Sequence, residues 1–114
     1  MRDTDRDHLA DMLDHAEFAI GLLGSASTAA VASDRAKFSA LCHEVQTIGE
    51  AANQLSGSAR LELPDVPWPD VIGMRHRIVH GYRTVAPEIV VTTVRDDLPV
   101  LVKTLRRALE EDTR

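Results

Sequence analysis

The sequence has little cysteine and few aromatic residues. Cys42 is its one cysteine, which excludes an intramolecular disulfide and a zinc site built on several cysteines. Its place in an apolar helical pattern predicts a buried, inert thiol. With two Phe, one Trp and one Tyr among 114 residues, the core must consist mainly of Ala, Val and Leu. We therefore expect an all-α fold of helices packed through aliphatic side chains.

Long apolar runs are also absent, and no uncharged stretch approaches the roughly 20 residues that span a bilayer. The N-terminus, residues 1–8, is too polar for a signal peptide. We therefore expect a cytoplasmic protein with no membrane partner. Apolar residues make up 44% of the chain and charged residues 27%, a globular balance. A chain of 114 residues is long enough for one hydrophobic core, so we expect a single domain over residues 1–114.

Apolar residues recur at helical spacing in four stretches of the chain. The predicted helices cover residues 4–24, 33–55, 69–81 and 87–109. Pro99 should kink or break the last helix. The proline-rich segment 56–70 predicts a loop with a short turn near Ala59, and Trp68 within it should plug the end of the bundle rather than stack on a ligand. These lengths predict an up-and-down bundle of four to five helices.

The fourth stretch has an unusually broad apolar stripe. Val90, Val91 and Val94 adjoin the row of leucines and isoleucine that forms its main seam. Bundles of this size often bury such excess apolar surface against a second copy. We therefore expect a homodimer.

Several templates for catalysis are missing. The chain has no glycine-rich phosphate loop and no Gly-x-Ser-x-Gly elbow. His76 and His80 have the spacing of a zinc-protease helix, but that motif needs Glu after the first histidine. Here the position is Arg77, a cation that would repel zinc. We therefore expect neither a metal site nor a cofactor.

The residues that remain form a basic run, residues 74–85, with three Arg, two His and no acid. Removing these three arginines from the net charge of −5 leaves −8 on the rest of the chain. In metal-free RNA cleavage, the imidazole of His80, with an ordinary pKa of about 6.5, can transfer protons. The Arg75 guanidinium can stabilise the charge on the phosphorane. One alternative is that the run is a solvated helix end, where cations interact favourably with the C-terminal end of the helix dipole and His80 packs in the core. Another is that the basic face binds an acidic partner.

Arg75 and His80 cannot be simple neighbours on an ideal helix, because five positions leave them about 140° apart around the axis. Either the helix loosens before Gly81, or the long Arg75 side chain reaches around, or two protomers bring their motifs together. The third arrangement agrees with the expected homodimer. Tyr82, seven positions after Arg75, shares its face and lies within reach of anything that Arg75 binds.

The run Arg75-His-Arg-Ile-Val-His80-Gly-Tyr82 resembles the Arg-x4-His-x-Tyr motif of the HepT-like branch of the HEPN superfamily. The segments 47–52, 63–68, 71–75 and 97–99 also resemble that family at matching intervals, and the resemblance covers residues 5–110. It implies a helical bundle that forms a homodimer. It also implies a metal-independent endoribonuclease with RNA as substrate, and with Arg75 and His80 as catalytic residues in the cleft between the subunits.

The resemblance further implies the toxin half of a toxin–antitoxin pair. The antitoxin would be a cognate minimal nucleotidyltransferase, MntA-like, that transfers AMP to Tyr82 and forms O-AMP-tyrosine. The family usually has a small polar residue at the position of His76. His76 either assists proton transfer or forms a hydrogen bond to the helix. Glu50 can orient Arg75 or His80 from the second helix. The alternative function is a non-catalytic module that presents Tyr82 and the basic cleft to a nucleotidyltransferase or a nucleotide.

Overall fold

The computed structural model describes the backbone of residues 1–81 and 86–112 and the side chains of residues 1–76 and 86–112. This part of the chain is helical and contains no strand, so the all-α prediction is confirmed. In chain order the elements are α1 (Asp3–Leu23), α2 (Thr28–Ala32), α3 (Arg35–Gln54), α4 (Gly57–Glu62), α5 (Trp68–Gly81), α6 (Pro87–Thr92), a π-helical segment (Thr93–Asp97) and α7 (Leu98–Asp112). The four predicted helices correspond to α1, α3, α5 and the run from α6 to α7. The predicted turn near Ala59 is α4, whereas α2 lies in a segment that we expected to be a linker.

The long helices pack side by side around one core. Helix α1 packs against α3 and α7, and α3 also packs against α5. The largest fully buried apolar side chains come from α1, α3, the π-helical segment, α6, α7 and α2: Leu9, Met12, Leu41, Ile48, Leu98, Leu105, Val31, Val90, Val91 and Val94. This order places α5, which carries residues 74–81 of the basic run, at one side of the bundle, where it packs mainly against α3.

Polar side chains cap three of the helices, α2, α3 and α4, at their N-termini. Ser27 caps α2, Ser56 caps α4, and Asp34 caps α3 by accepting a hydrogen bond from the Lys37 N–H at 3.0 Å. Such bonds satisfy backbone N–H groups that have no partner within the first turn of the helix. Asp34 is thus the N-cap of α3, which corresponds to the second predicted helix.

The valine stripe does not provide a surface for dimerisation, and this basis for the predicted homodimer is wrong. Val90, Val91 and Val94 are 1%, 2% and 0% exposed within the monomer. The short helix α2, which the apolar spacing did not predict, packs against α6 and places Val31 in the same core. The stripe is thus buried by the chain itself. The homodimer stays a prediction that rests on the angular offset of Arg75 and His80 and on the family resemblance.

Pro99 is accommodated without a break in the helical run. The π-helical segment Thr93–Asp97 ends two residues before Pro99, and α7 continues directly from it. Proline lacks a backbone N–H, and its ring clashes with the carbonyl four residues earlier, here that of Arg95. The wider π turn relieves this clash while the chain remains helical.

A buried carboxylate joins α1 to the start of α4. The Asp5 side chain accepts hydrogen bonds from the Ser56 N–H at 2.9 Å and the Ser56 hydroxyl at 2.7 Å, and the residue is 2% exposed. The backbone bond from Ser56, the hydroxyl of Ser56 and the nearby Arg2 guanidinium together hold the pKa of Asp5 below its ordinary value. Asp5 therefore stabilises the fold in its ionised form.

Replacing Ser56 by Ala should destabilise the fold by an amount that depends on pH. Because the pKa of Asp5 is lowered by folding, its stabilisation is complete above its unfolded-state pKa and is lost as pH falls through its folded-state pKa. Urea unfolding followed by circular dichroism should therefore show that the cost of Ser56→Ala shrinks from about pH 7 to about pH 3. The matched control is Ser27→Ala, which removes a cap bonded to the Ala30 N–H and should have a constant cost. A constant cost in both variants would contradict the role given to Asp5.

Candidate active site

Helix α5 carries residues 74–81 of the basic run on a continuous α-helix. It extends from Trp68 to Gly81, so Arg75 and His80 lie on the same regular helix. Five residues of such a helix turn through about 500° and rise about 7.5 Å, which keeps the two positions about 140° apart. The proposed loosening of the helix before Gly81 is therefore wrong. Two arrangements remain, in which the Arg75 side chain reaches around the helix or two copies of the run come together.

Trp68 anchors the start of α5. Its ring is 7% exposed, and its Nε1–H donates to the carbonyl oxygens of Leu63 at 3.0 Å and Arg60 at 3.1 Å. A buried indole with a satisfied N–H is a structural plug. This confirms the interpretation of Trp68 as a plug of the bundle end rather than a platform for a ligand.

The backbones of α3 and α5 approach each other closely at Gly49. A Cβ atom built at Gly49 would lie 2.8 Å from both the Cβ and the backbone N of Arg75, and 3.0 Å from the Val71 carbonyl oxygen. No side chain fits there, so glycine allows α5 to pack against α3 at this distance. Arg75 is therefore held against α3 at its own backbone.

Glu50 follows Gly49 and contacts the predicted catalytic arginine. Its Oε2 atom lies 3.3 Å from the Arg75 Nε atom, and the two side chains are 51% and 40% exposed. The Nε atom itself is shielded from solvent, and its N–H is not in hydrogen-bonding geometry with any described acceptor. We therefore treat the contact as an ion pair. Of the two predicted partners of Glu50, Arg75 and His80, the structure places Arg75 beside it.

The other predicted site residues are only partly described. His76 is exposed on α5. The side chain of His80 lies outside the described residues, although its backbone is part of α5. Tyr82 lies outside the described residues altogether. The roles of His76, His80 and Tyr82 therefore stay predictions.

One partly buried contact between polar side chains was not predicted. The His15 Nδ1 atom contacts the Glu44 Oε2 atom between α1 and α3, where the Glu44 side chain is 11% exposed. Both residues lie close to core residues at helical spacing, and this was the sequence signal from which the contact could have been predicted.

Cys42 is half-buried, and burial raises the pKa of its thiol, so it is a poor nucleophile.

A groove of about 250 Å³ separates the start of α5 from the start of α7. Its walls are largely apolar, and its charged residues are all carboxylates: Asp65, Asp70, Asp96 and Asp97. Such a surface repels the phosphates of a nucleic acid. The basic run, rather than this groove, is therefore the candidate site for RNA.

Two further features are absent from the side chains of residues 1–76 and 86–112, namely a metal site and a membrane-spanning helix. No three His, Cys, Asp or Glu side chains in that part of the chain lie together as a metal site would require. Within the same residues, every helix is too short or too polar to cross a bilayer.

The fold and the sequence define a class: an all-α bundle in which the Arg75 and His80 positions of an Arg-x4-His-x-Tyr sequence lie near the end of one helix. The chain belongs to the ribonuclease HepT-like family, whose family model matches residues 12–108. The matched range includes Gly49, Glu50 and the whole basic run. The resemblance to the HepT-like branch is thereby confirmed.

Three relatives are similar to this chain. A protein of Caldanaerobacter subterraneus subsp. tengcongensis, named "Putative RNase", is 28% identical over 109 residues, which cover 96% of this chain and 97% of the relative. Another "Putative RNase", from Methanocaldococcus jannaschii, is 28% identical over 56% of this chain and 59% of its own length. A "Probable ribonuclease HepT" of Thermococcus cleftensis is 29% identical over 54% of this chain and 56% of its own length. No solved structure matches the chain significantly.

Proposed function

We propose that this protein is a metal-independent endoribonuclease that depends on Arg75 and His80. The observation that carries the proposal is the contact between the Arg75 Nε atom and the Glu50 carboxylate, because Arg75 lies five residues before His80 on the same helix. Membership in the ribonuclease HepT-like family supports it, as do the names of the three relatives.

In the proposed reaction, the ribose 2′-oxygen attacks the adjacent phosphorus, and the bond from phosphorus to the 5′-oxygen breaks. His80 accepts the proton of the 2′-hydroxyl, a role that suits a group with an ordinary pKa of about 6.5. Arg75 stabilises the negative charge that gathers on the phosphorane. The 5′-oxygen leaves as an alcohol after taking a proton from water. The products are a 2′,3′-cyclic phosphate and a 5′-hydroxyl end.

We propose that the active form is a homodimer in which Arg75 of one copy lies beside His80 of the other. The regular geometry of α5 supports this arrangement, since it keeps the two positions about 140° apart within one chain. A site shared between two copies would also explain how a chain of net charge −5 binds RNA, because two basic runs would then line one cleft.

The ribonuclease proposal is tested by incubating the purified protein with RNA in excess EDTA. Cleavage should persist without divalent cations and should leave 2′,3′-cyclic phosphate ends, as measured by mass spectrometry. The matched control is the same RNA with 2′-O-methyl groups, which lacks the nucleophile and should remain uncut. If the unmodified RNA is also left intact under all conditions, the protein is instead a binding module that presents its basic cleft to a partner.

We further propose that a cognate minimal nucleotidyltransferase, acting as antitoxin, transfers AMP from ATP to the Tyr82 hydroxyl and releases pyrophosphate. The predicted position of Tyr82 on the face of Arg75 gives a physical reason for inactivation, since an added phosphate would compete with RNA for the arginine. In the cleavage assay, treatment with the nucleotidyltransferase and ATP should silence the wild type but spare Tyr82→Phe. Equal silencing of both proteins would contradict modification at Tyr82.

A further inference from the structure

We propose that Glu50 is a positioning residue that orients the Arg75 guanidinium toward phosphate and neutralises its charge in the free protein. The inference rests on the proposed ribonuclease function and assigns one further residue to that site. It is carried by the 3.3 Å ion pair between Glu50 and Arg75 and by the close packing at Gly49.

The packing at Gly49 determines where the ion pair forms. Because a Cβ at Gly49 would lie 2.8 Å from the Arg75 backbone N, the two helix backbones are in direct contact at this point. Glu50 is the next residue of α3, so its side chain starts from a fixed position relative to Arg75. An ordinary surface ion pair loses much of its benefit in ordering two mobile side chains. Here the close helix crossing fixes the distance between the points from which the two side chains start, so that only their rotamers remain to be ordered.

The atom of Arg75 that Glu50 contacts determines which edge of the guanidinium faces a substrate. The carboxylate lies at Nε, on the edge nearest the aliphatic stem. The outer edge, with its two terminal nitrogens, has the paired donors that suit two phosphate oxygens. Glu50 thus restrains the orientation of the fork without contacting RNA itself.

The same contact changes how Arg75 attracts RNA. A neutral Arg75–Glu50 pair attracts the phosphate of the bound substrate less than a lone arginine would. The phosphorane carries more negative charge than that phosphate, and an oriented guanidinium stabilises it most. Glu50 should therefore raise kcat at the expense of substrate affinity, a pattern expected when an enzyme favours the transition state over the ground state.

The test compares Glu50→Gln with Glu17→Gln in the cleavage assay. Glu17 is the matched control because its Oε2 lies 3.0 Å from the Arg106 Nη2, the side chains are 47% and 54% exposed, and the pair joins α1 to α7. Both substitutions remove one negative charge from a half-exposed ion pair. Glu50→Gln should lower kcat roughly ten- to a hundredfold through misorientation, and lower KM about two- to fivefold through the unpaired cation. Glu17→Gln should change neither constant.

Two measurements separate positioning from other roles. If Glu50→Gln and Glu17→Gln have the same kinetic constants, the inference is overturned. The pH profile of kcat should keep its acidic limb in Glu50→Gln, because His80 remains the base; a lost limb would mean that Glu50 itself takes the proton, which also overturns it.

Failure of the ribonuclease proposal is distinguishable from failure of this inference. Binding of the uncleavable 2′-O-methyl RNA requires no catalysis, and Glu50→Gln should bind it about two- to fivefold more tightly than the wild type. The Nε–H resonance of Arg75 in nuclear magnetic resonance spectra should shift in Glu50→Gln and stay in place in Glu17→Gln. If the wild type is inactive but Glu50→Gln shows both the tighter RNA binding and the shifted resonance, the ribonuclease proposal is refuted and the ion pair is retained. An active wild type with neither change would refute the role of Glu50.

Discussion

Replacing His80 by Ala should abolish RNA cleavage and leave the helical bundle folded. Loss of a positioned general base typically costs about a hundred- to ten-thousandfold in rate. His80 is the penultimate residue of α5, and the helix has its packing against α3 at Gly49 and its Trp68 anchor well before that point. Single-turnover cleavage should therefore fall to background while the circular dichroism spectrum and the urea midpoint stay close to those of the wild type.

The control for this variant is His43→Ala, which removes an exposed imidazole from α3. It should cleave RNA at the wild-type rate. If His80→Ala cleaves as fast as His43→Ala, the proposed mechanism is wrong.

The same variant distinguishes the two arrangements of the site that remain. Arg75→Ala and His80→Ala should each be inactive, but mixed and refolded together they should regain about a quarter of the wild-type activity if the site is shared across a two-fold axis. Half of the dimers would then contain both variants, and each of these would have one complete site. If Arg75 instead reaches His80 within its own chain, the mixture should remain inactive.

Replacing Gly49 by Ala should destabilise the protein and impair the site together. The new Cβ would lie 2.8 Å from the Cβ and backbone N of Arg75, and neither atom belongs to a flexible side-chain end that could move away. Forcing α5 away from α3 should cost about 1–3 kcal/mol of unfolding free energy, as overpacking usually does. Because Arg75 is at the point of contact, kcat should fall in the same variant, even at temperatures where it remains fully folded.

Gly73→Ala on α5 is the matched control, because a Cβ at that position would meet nothing within 4 Å. Alanine is a better helix former than glycine, so this variant should gain up to about 1 kcal/mol. Urea unfolding should thus move in opposite directions for the two variants. Equal stability of Gly49→Ala and the wild type would mean that the close helix crossing is not needed.

Much of the fold was predictable because helix formation depends on local patterns. Apolar spacing located α1, α3 and α5 to within a few residues. Helix α2 escaped prediction because five residues are too few for a clear period. Its absence from the prediction left the stripe at Val90 without a partner and made it look like an interface.

The candidate site was predictable in its residues but not in its geometry. The spacing of Arg75 and His80 and their angular offset follow from the helix alone. The contact of Glu50 with Arg75 was one of two options, and nothing in the sequence distinguished it from a contact with His80. The pairing of His15 with Glu44 was missed, because each residue alone looks like a surface charge on its helix.

The sequence by itself determined that the chain is all-α, where its long helices lie and which helix carries the basic run. These properties depend on residues a few positions apart. Only the tertiary structure decided that Gly49 lies against Arg75, that Glu50 contacts its Nε atom and that Val90, Val91 and Val94 are buried within the monomer. The physical reason is that such contacts depend on how two helices cross, and the fit of side chains and backbones far apart in the sequence sets that crossing.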